Sequence, residues 1–189
     1  MRAVMVDVPE HLLAERHRLG HDKADEMWEG ELHMVPPGSN EHYRIELELA
    51  AFLLAMARTQ GLQVRTEAGV FDPLVPEPTS YRQPDVVVFG DEASSERGVE
   101  GRARLVVEIR SPGDESFDKL PFYGRVGVAE VLIVDRDTKG VRRWVNRAGT
   151  LEDADAGDGG WHSLDALPLA VRGVAETLQL RSADQTVEI

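Results

Sequence analysis

The stretch that decides the fold begins Arg104-Leu105-Val106-Val107-Glu108-Ile109-Arg110-Ser111-Pro112. A polar turn follows, then Phe117-Asp118-Lys119-Leu120-Pro121-Phe122-Tyr123-Gly124-Arg125-Val126-Gly127-Val128, then Ala129-Glu130-Val131-Leu132-Ile133-Val134-Asp135. Two short, nearly continuous apolar runs bracket a helical segment. Runs of this kind are strands buried on both faces. A strand, a helix and a second strand predict a right-handed parallel crossover. Glu108 stands in the middle of the first run. An ionised carboxylate is costly there unless a metal, a cation or hydrogen bonds compensate it.

Outward from this unit, Pro84-Asp85-Val86-Val87-Val88-Phe89 reads as another strand, with an acid at its mouth. Upstream, Glu41 to Thr59 reads as the longest helix. Ile45, Leu49, Phe52, Leu53 and Met56 give it a broad apolar face, Ser39 or Asn40 caps it, and Gly61 ends it. Pro9 to Leu19 predicts a shorter helix with Leu12, Leu13 and Leu19 on one face, and residues 23–35 predict two strands around Glu29-Gly30. Leu62 to Val70 alternates as one strand, residues 72–84 form a proline-rich loop, and Gly90 to Gly101 is loop-like. The helix after Glu108 is expected near residues 115–125. Val141 to Val145 and a segment near Leu151 predict a hairpin. Leu164, Leu167, Leu169 and Val171 are expected to anchor a covering segment, and the tail from Arg181 to fray. The mixture predicts an α/β (α+β) domain with a central mixed sheet flanked by helices.

The composition narrows the chemistry. The chain has 189 residues, a length suited to one domain, and a formal charge of −13. That charge argues against a uniformly basic nucleic-acid-binding surface, though not against a local basic groove. With no cysteine, any metal must be held by oxygen or imidazole ligands. No apolar run reaches the roughly 18 residues of a membrane span. Residues 1–10 lack the apolar core of a signal peptide, so a cytoplasmic protein is expected, with no membrane partner.

Side chains on a strand alternate between faces, so Glu108 and Arg110 point the same way. If the Asp85 strand lies beside them, two carboxylates converge. At 4 Å they repel by roughly 4 kcal/mol at an effective dielectric near 20. A divalent cation turns that repulsion into binding, and hard oxygen ligands suit Mg2+ or Mn2+. The cluster of Arg136, Lys139, Arg142, Arg143 and Arg147 reads as a solvated hairpin, and Trp28, Trp144 and Trp161 as core or interface residues.

These residues resemble the PD-(D/E)XK nuclease superfamily, and more closely its Uma-type restriction endonucleases. The resemblance rests on an ordered set over roughly residues 10–170. It comprises Glu26-Met27-Trp28-Glu29-Gly30-Glu31-Leu32, His42, Pro84-Asp85, Val107-Glu108-Ile109-Arg110-Ser111-Pro112, Lys119 with Tyr123, and Gly127-Val128-Ala129-Glu130 leading to Asp135. It departs from the family at Leu132, where a tryptophan is frequent, and at Arg110, where the superfamily carries lysine. Arginine stays protonated and cannot act as a base. The resemblance implies a restriction-endonuclease-like fold over residues 1–189 and a metal-dependent endonuclease cutting nucleic acid, DNA in the first instance. It implies Asp85 and Glu108 as ligands of Mg2+ or Mn2+, Lys119 as the catalytic cation, and Arg110, His42 and Glu26 as substrate contacts. A homodimer is the expected assembly. Two other functions compete: an inactive nuclease-fold module that binds nucleic acid or protein, and an assembly protein whose acids form a buried ion network.

Overall fold

In a computed structural model, Leu105–Arg110 and Glu130–Asp135 lie parallel, with Val106 opposite Val131 and Glu108 opposite Ile133. The structure describes residues 3–5, 9–20, 22–183 and 185–189. Part of the N-terminal stretch read for a signal peptide therefore lies outside the described residues. The parallel pair is the middle of a six-stranded sheet. Its order is Thr150–Ala154, Val141–Arg147, Glu130–Asp135, Leu105–Arg110, Val86–Phe89 and Gln63–Thr66. All its other pairings are antiparallel.

The apolar runs are continuous because this sheet is covered on both sides. On one side lies helix α2 (Asn40–Thr59), and Ile45, Leu49 and Leu53 meet Val86, Val88, Leu105, Val107 and Ile109. Ser39 caps α2, its hydroxyl accepting the His42 backbone N–H at 3.2 Å. The same core takes Leu164, Leu167, Leu169 and Val171, the anchors expected of a covering segment. On the other side Val87, Val106, Val131 and Ile133 pack on Phe122 and Tyr123 of a short helix, α3 (Leu120–Arg125), and on Trp144. Gly124 is required there: a Cβ would stand 2.8 Å from the Gly149 carbonyl and 3.2 Å from the Leu151 amide.

Four details differ from the sequence reading. The helix expected near 115–125 begins only at Leu120. Pro121 lacks an N–H and fits only the first turn, and Asp114 holds the preceding turn through the Ser111 and Ser116 amides. The strand expected over 62–70 is two strands, Gln63–Thr66 and Val70–Phe71, in different sheets, because the chain breaks at Glu67 with φ +50°. The N-terminal helix Glu10–Leu19 forms between Pro9 and a left-handed Gly20, yet it buries no residue. Leu13 and Leu19 stay 42% and 47% exposed. The tail does not fray. Thr186–Glu188 pairs with Thr177–Arg181, and the Ile189 N–H donates to the Leu178 carbonyl at 2.8 Å.

A second six-stranded sheet contains Glu26–Trp28, Glu31–Met34 and Tyr81–Arg82. It brings residue 26 and the loop at 35–39 over the end of the central sheet where Asp85 and Glu108 sit. No helix among the described residues is long and apolar enough to cross a membrane.

Candidate active site

The antiparallel pairing of Val86 with Val107 sets Asp85 beside Glu108, as the sequence predicts. Both line a cleft of about 340 Å³ at the end of the central sheet. They do not share one environment.

Asp85 faces the open part of the cleft. Its Oδ2 accepts the Ile109 backbone N–H at 2.5 Å, which ties the carboxylate to the neighbouring strand. Its Oδ1 lies 2.9 Å from His42 Nε2. The cap at Ser39 presents His42 in the first turn of α2, and Glu46 follows one turn later on the same face. Ligand atoms of His42, Glu46 and Asp85 lie within 4.8 Å of one another. Burial, then the charges of Asp85 and Glu67, push the Glu46 carboxyl up to about 7. Burial alone would lower the His42 imidazole, but the hydrogen bond and charge of Asp85, with Glu46 and Glu108 behind it, raise it. His42 Nδ1 is buried without a hydrogen-bond partner.

Glu108 is sealed, at 3% exposure. The Tyr123 hydroxyl donates to its Oε1 at 2.5 Å, and Lys119 Nζ donates to both oxygens at 3.0 and 3.2 Å. Lys119 Nζ also lies 2.8 Å from Glu26 Oε1. One ammonium thus serves two carboxylates. Burial, only partly offset by Lys119, pushes the Glu108 carboxyl up to about 8, with Asp85 and Glu26 adding to the rise. Burial would discharge Lys119, but the flanking Glu108 and Glu26 keep it protonated.

The predicted substrate contacts fare differently. His42 lines the cleft. Glu26 also borders it but is only 2% exposed, and it accepts from Trp28 Nε1 at 2.7 Å and from the Gln83 amide at 2.8 Å. The same Oε1 that accepts the Gln83 amide also meets Lys119 Nζ, at 2.8 Å. Arg110 does not line the cleft. The parallel register sets it opposite Asp135, which it pairs with at 2.9 Å. Most of the basic cluster is paired in the same way: Arg142 with Asp153, Arg143 with Glu130 and Asp165, and Lys139 with Glu41. Arg136 alone of these reaches the cleft, carrying Asp137 as its partner.

Sequence reasoning missed two residues. Glu46 was readable from its spacing, four residues after His42, once His42 was placed in the site. Tyr123 was legible only as a spacing from Lys119, because its bond to Glu108 joins two elements.

A family model described as "Uma2: Putative restriction endonuclease" matches residues 10–178. Among solved structures, the chain is similar to a protein from Anabaena variabilis described as a putative nuclease belonging to DUF820. The TM-score is 0.57 at 18% identity, over 73% of this chain and 80% of that one. No protein in the curated set matches. The likeness in structure is one of fold, and the fold is restriction-endonuclease-like. With nine-tenths of its length matched by the family model, the chain belongs to the Uma2 family.

Proposed function

We propose that this protein is a metal-dependent endonuclease that hydrolyses nucleic-acid phosphodiester bonds, with Asp85 and Glu108 holding Mg2+ or Mn2+ and Lys119 as the catalytic cation. The observation that carries the proposal is the excess of carboxylates over cations at the base of one cleft. Asp85, Glu108 and Glu26 converge with Glu46 nearby, and Lys119 is the lysine that answers them. Such a cluster is poorly compensated as it stands, and oxygen and imidazole donors fit a hard divalent ion. When bound, the ion polarises the scissile phosphate and activates a water.

The protein's own residues do the rest. The Ile109 N–H occupies Asp85 Oδ2 and so fixes the orientation of the carboxylate, with Oδ1 against His42 Nε2. Tyr123 and Lys119 fix Glu108 in the same way. Glu26 holds the Lys119 ammonium in place and charged, ready to meet negative charge that develops on phosphate oxygens. The test is cleavage of labelled DNA and RNA in Mg2+ and in Mn2+. Cleavage should be abolished by chelator and fall at least a hundredfold in Asp85→Ala, Glu108→Ala and Lys119→Ala. Cleavage that survives Asp85→Ala would reject the site.

A second reading, an inactive nuclease-fold module that binds nucleic acid, is favoured by one observation: Lys119 is already engaged by two acids. Nucleic-acid binding indifferent to chelator and to Asp85→Ala, with no cleavage, would select it.

A further inference from the structure

The charges of the cleft and the shape of its rim bear on the substrate, given the nuclease reading above. Among the described residues, six acids line the cleft, Glu26, Glu67, Asp85, Glu108, Asp114 and Glu115, against two cations, Lys119 and Arg136. Both cations are paired, Lys119 with Glu26 and Glu108 and Arg136 with Asp137. Duplex DNA is gripped through many phosphates, each needing its own Lys or Arg. This cleft has no such supply. Three of the acids lie deep: the Glu108 and Glu26 side chains are 4% and 2% exposed, and Asp85 is 18% exposed. A phosphate must enter the recess to meet them.

The exposed rim carries Glu67 and Asp114, and beside them an apolar and aromatic stretch. Val35, Pro36 and Pro37 form one lip, Pro112 another, and Tyr43 stands between α2 and the loop, 44% exposed. Tyr43 is held in place. Its hydroxyl accepts the Gly38 N–H at 3.1 Å, and its ring meets His42 edge-on at 5.6 Å. The backbone at Gly38 lies flat against both rings, where a Cβ would come within 3.0–3.2 Å of them. A fixed, exposed ring offers a face for stacking, and unpaired bases stack on aromatic side chains with little dependence on sequence because every base has a π-face.

We infer that the substrate is an unpaired nucleic-acid strand, one base of which stacks on Tyr43 while the adjoining phosphate enters the recess at Asp85 and Glu108. Sugar chemistry is not distinguished by these contacts, so DNA and RNA share the proposal.

The test is fluorescence anisotropy of the full chain with labelled 20-mers: single-stranded DNA, single-stranded RNA and the blunt DNA duplex. It is run in Ca2+, with strand integrity checked on gels. One or both single strands should bind at least tenfold tighter than the duplex. With two phosphates engaged, the slope of log K against log salt should be about −1.4. Tyr43→Ala should weaken single-strand binding about tenfold, and Tyr43→Trp should preserve it. The DNA and RNA arms identify the natural strand. Equal or tighter duplex binding, a slope steeper than about −4, no loss in Tyr43→Ala, or no binding at all would each overturn the inference. The two readings separate cleanly. Single-strand binding without cleavage in Mg2+ or Mn2+ removes the nuclease and keeps the strand, whereas cleavage that prefers duplex keeps the nuclease and removes the strand.

Discussion

The two halves of the site are built from similar residues and behave as opposites. Around Glu108 a carboxylate, a lysine, a tyrosine and a second carboxylate are largely buried beneath the cleft and bonded to one another at 2.5–3.2 Å. Around Asp85 the carboxylate and His42 line the cleft, with Glu46 buried beside them, two acids to one imidazole. The sealed half spends its hydrogen bonds on fixing geometry. The open half holds the Asp85 carboxylate through one backbone N–H and one imidazole. Burial decides which half is which: the helix bearing Lys119 and Tyr123 closes over Glu108, while α2 reaches Asp85 only with its first turns.

Breaking each half in turn should expose the difference. The largest effect is expected from Lys119→Ala, which leaves Glu26 and Glu108 as buried charges without their cation. Loss of one partner from a buried pair costs about 3–5 kcal/mol. His42→Ala, the equivalent cut in the open half, should cost below about 1 kcal/mol, because water reaches Asp85. Chemical denaturation of the two variants measures both. Equal losses would mean the halves do not differ.

Metal should act in the opposite sense. An ion bound to the native state alone raises stability by about 2.7 kcal/mol at a hundredfold excess over its Kd. Thermal melts with added Mn2+ should show this in the natural protein and lose it in Asp85→Ala. A rise that persists in Asp85→Ala would place the ion elsewhere.

The surplus charge of the open half also has a pH signature in the presence of chelator. The Glu46 carboxyl is pushed up to about 7 in the folded protein, against about 4.5 ordinarily. Between those values the folded state holds a proton that the unfolded chain has released. Raising the pH through this window therefore removes stability. Glu46→Gln has no such proton to lose. It should match the natural protein near pH 4 and melt several degrees higher at pH 8, and identical melting curves at pH 8 would sink the argument.

Smaller effects refine the comparison. Tyr123→Phe removes one hydrogen bond to Glu108 and should cost about 1 kcal/mol. Arg110→Ala breaks a half-exposed pair with Asp135, outside the cleft. It should change stability by less than about 0.5 kcal/mol and leave any cleavage activity intact. Loss of activity in Arg110→Ala would bring that arginine back to the substrate.

Several features were legible because they are written locally. The apolar runs at 105–109 and 131–134 require strands buried on both faces, and the helix pattern between them requires a crossover. An acid inside such a run requires a partner, which made Glu108 conspicuous. Other features depend on what a segment meets. The N-terminal helix has leucines on one face, yet no element of the described chain covers them. The polar tail looks loose until Ile189 is seated against the C-terminal sheet. Glu26 and Arg110 sit in motif positions that suggest substrate contact, but register and burial turned one toward Lys119 and the other toward Asp135.

The sequence by itself determined the central sheet, its parallel crossover, the two acids at one end and the absence of thiolate chemistry, because periodicity, apolar runs and composition act at short range. The tertiary structure alone decided that Lys119 answers two carboxylates and that the cations near the cleft are already paired. Charge balance is a property of what surrounds a group in space. It is set by side chains brought in from distant strands and helices, and no spacing along the chain records it.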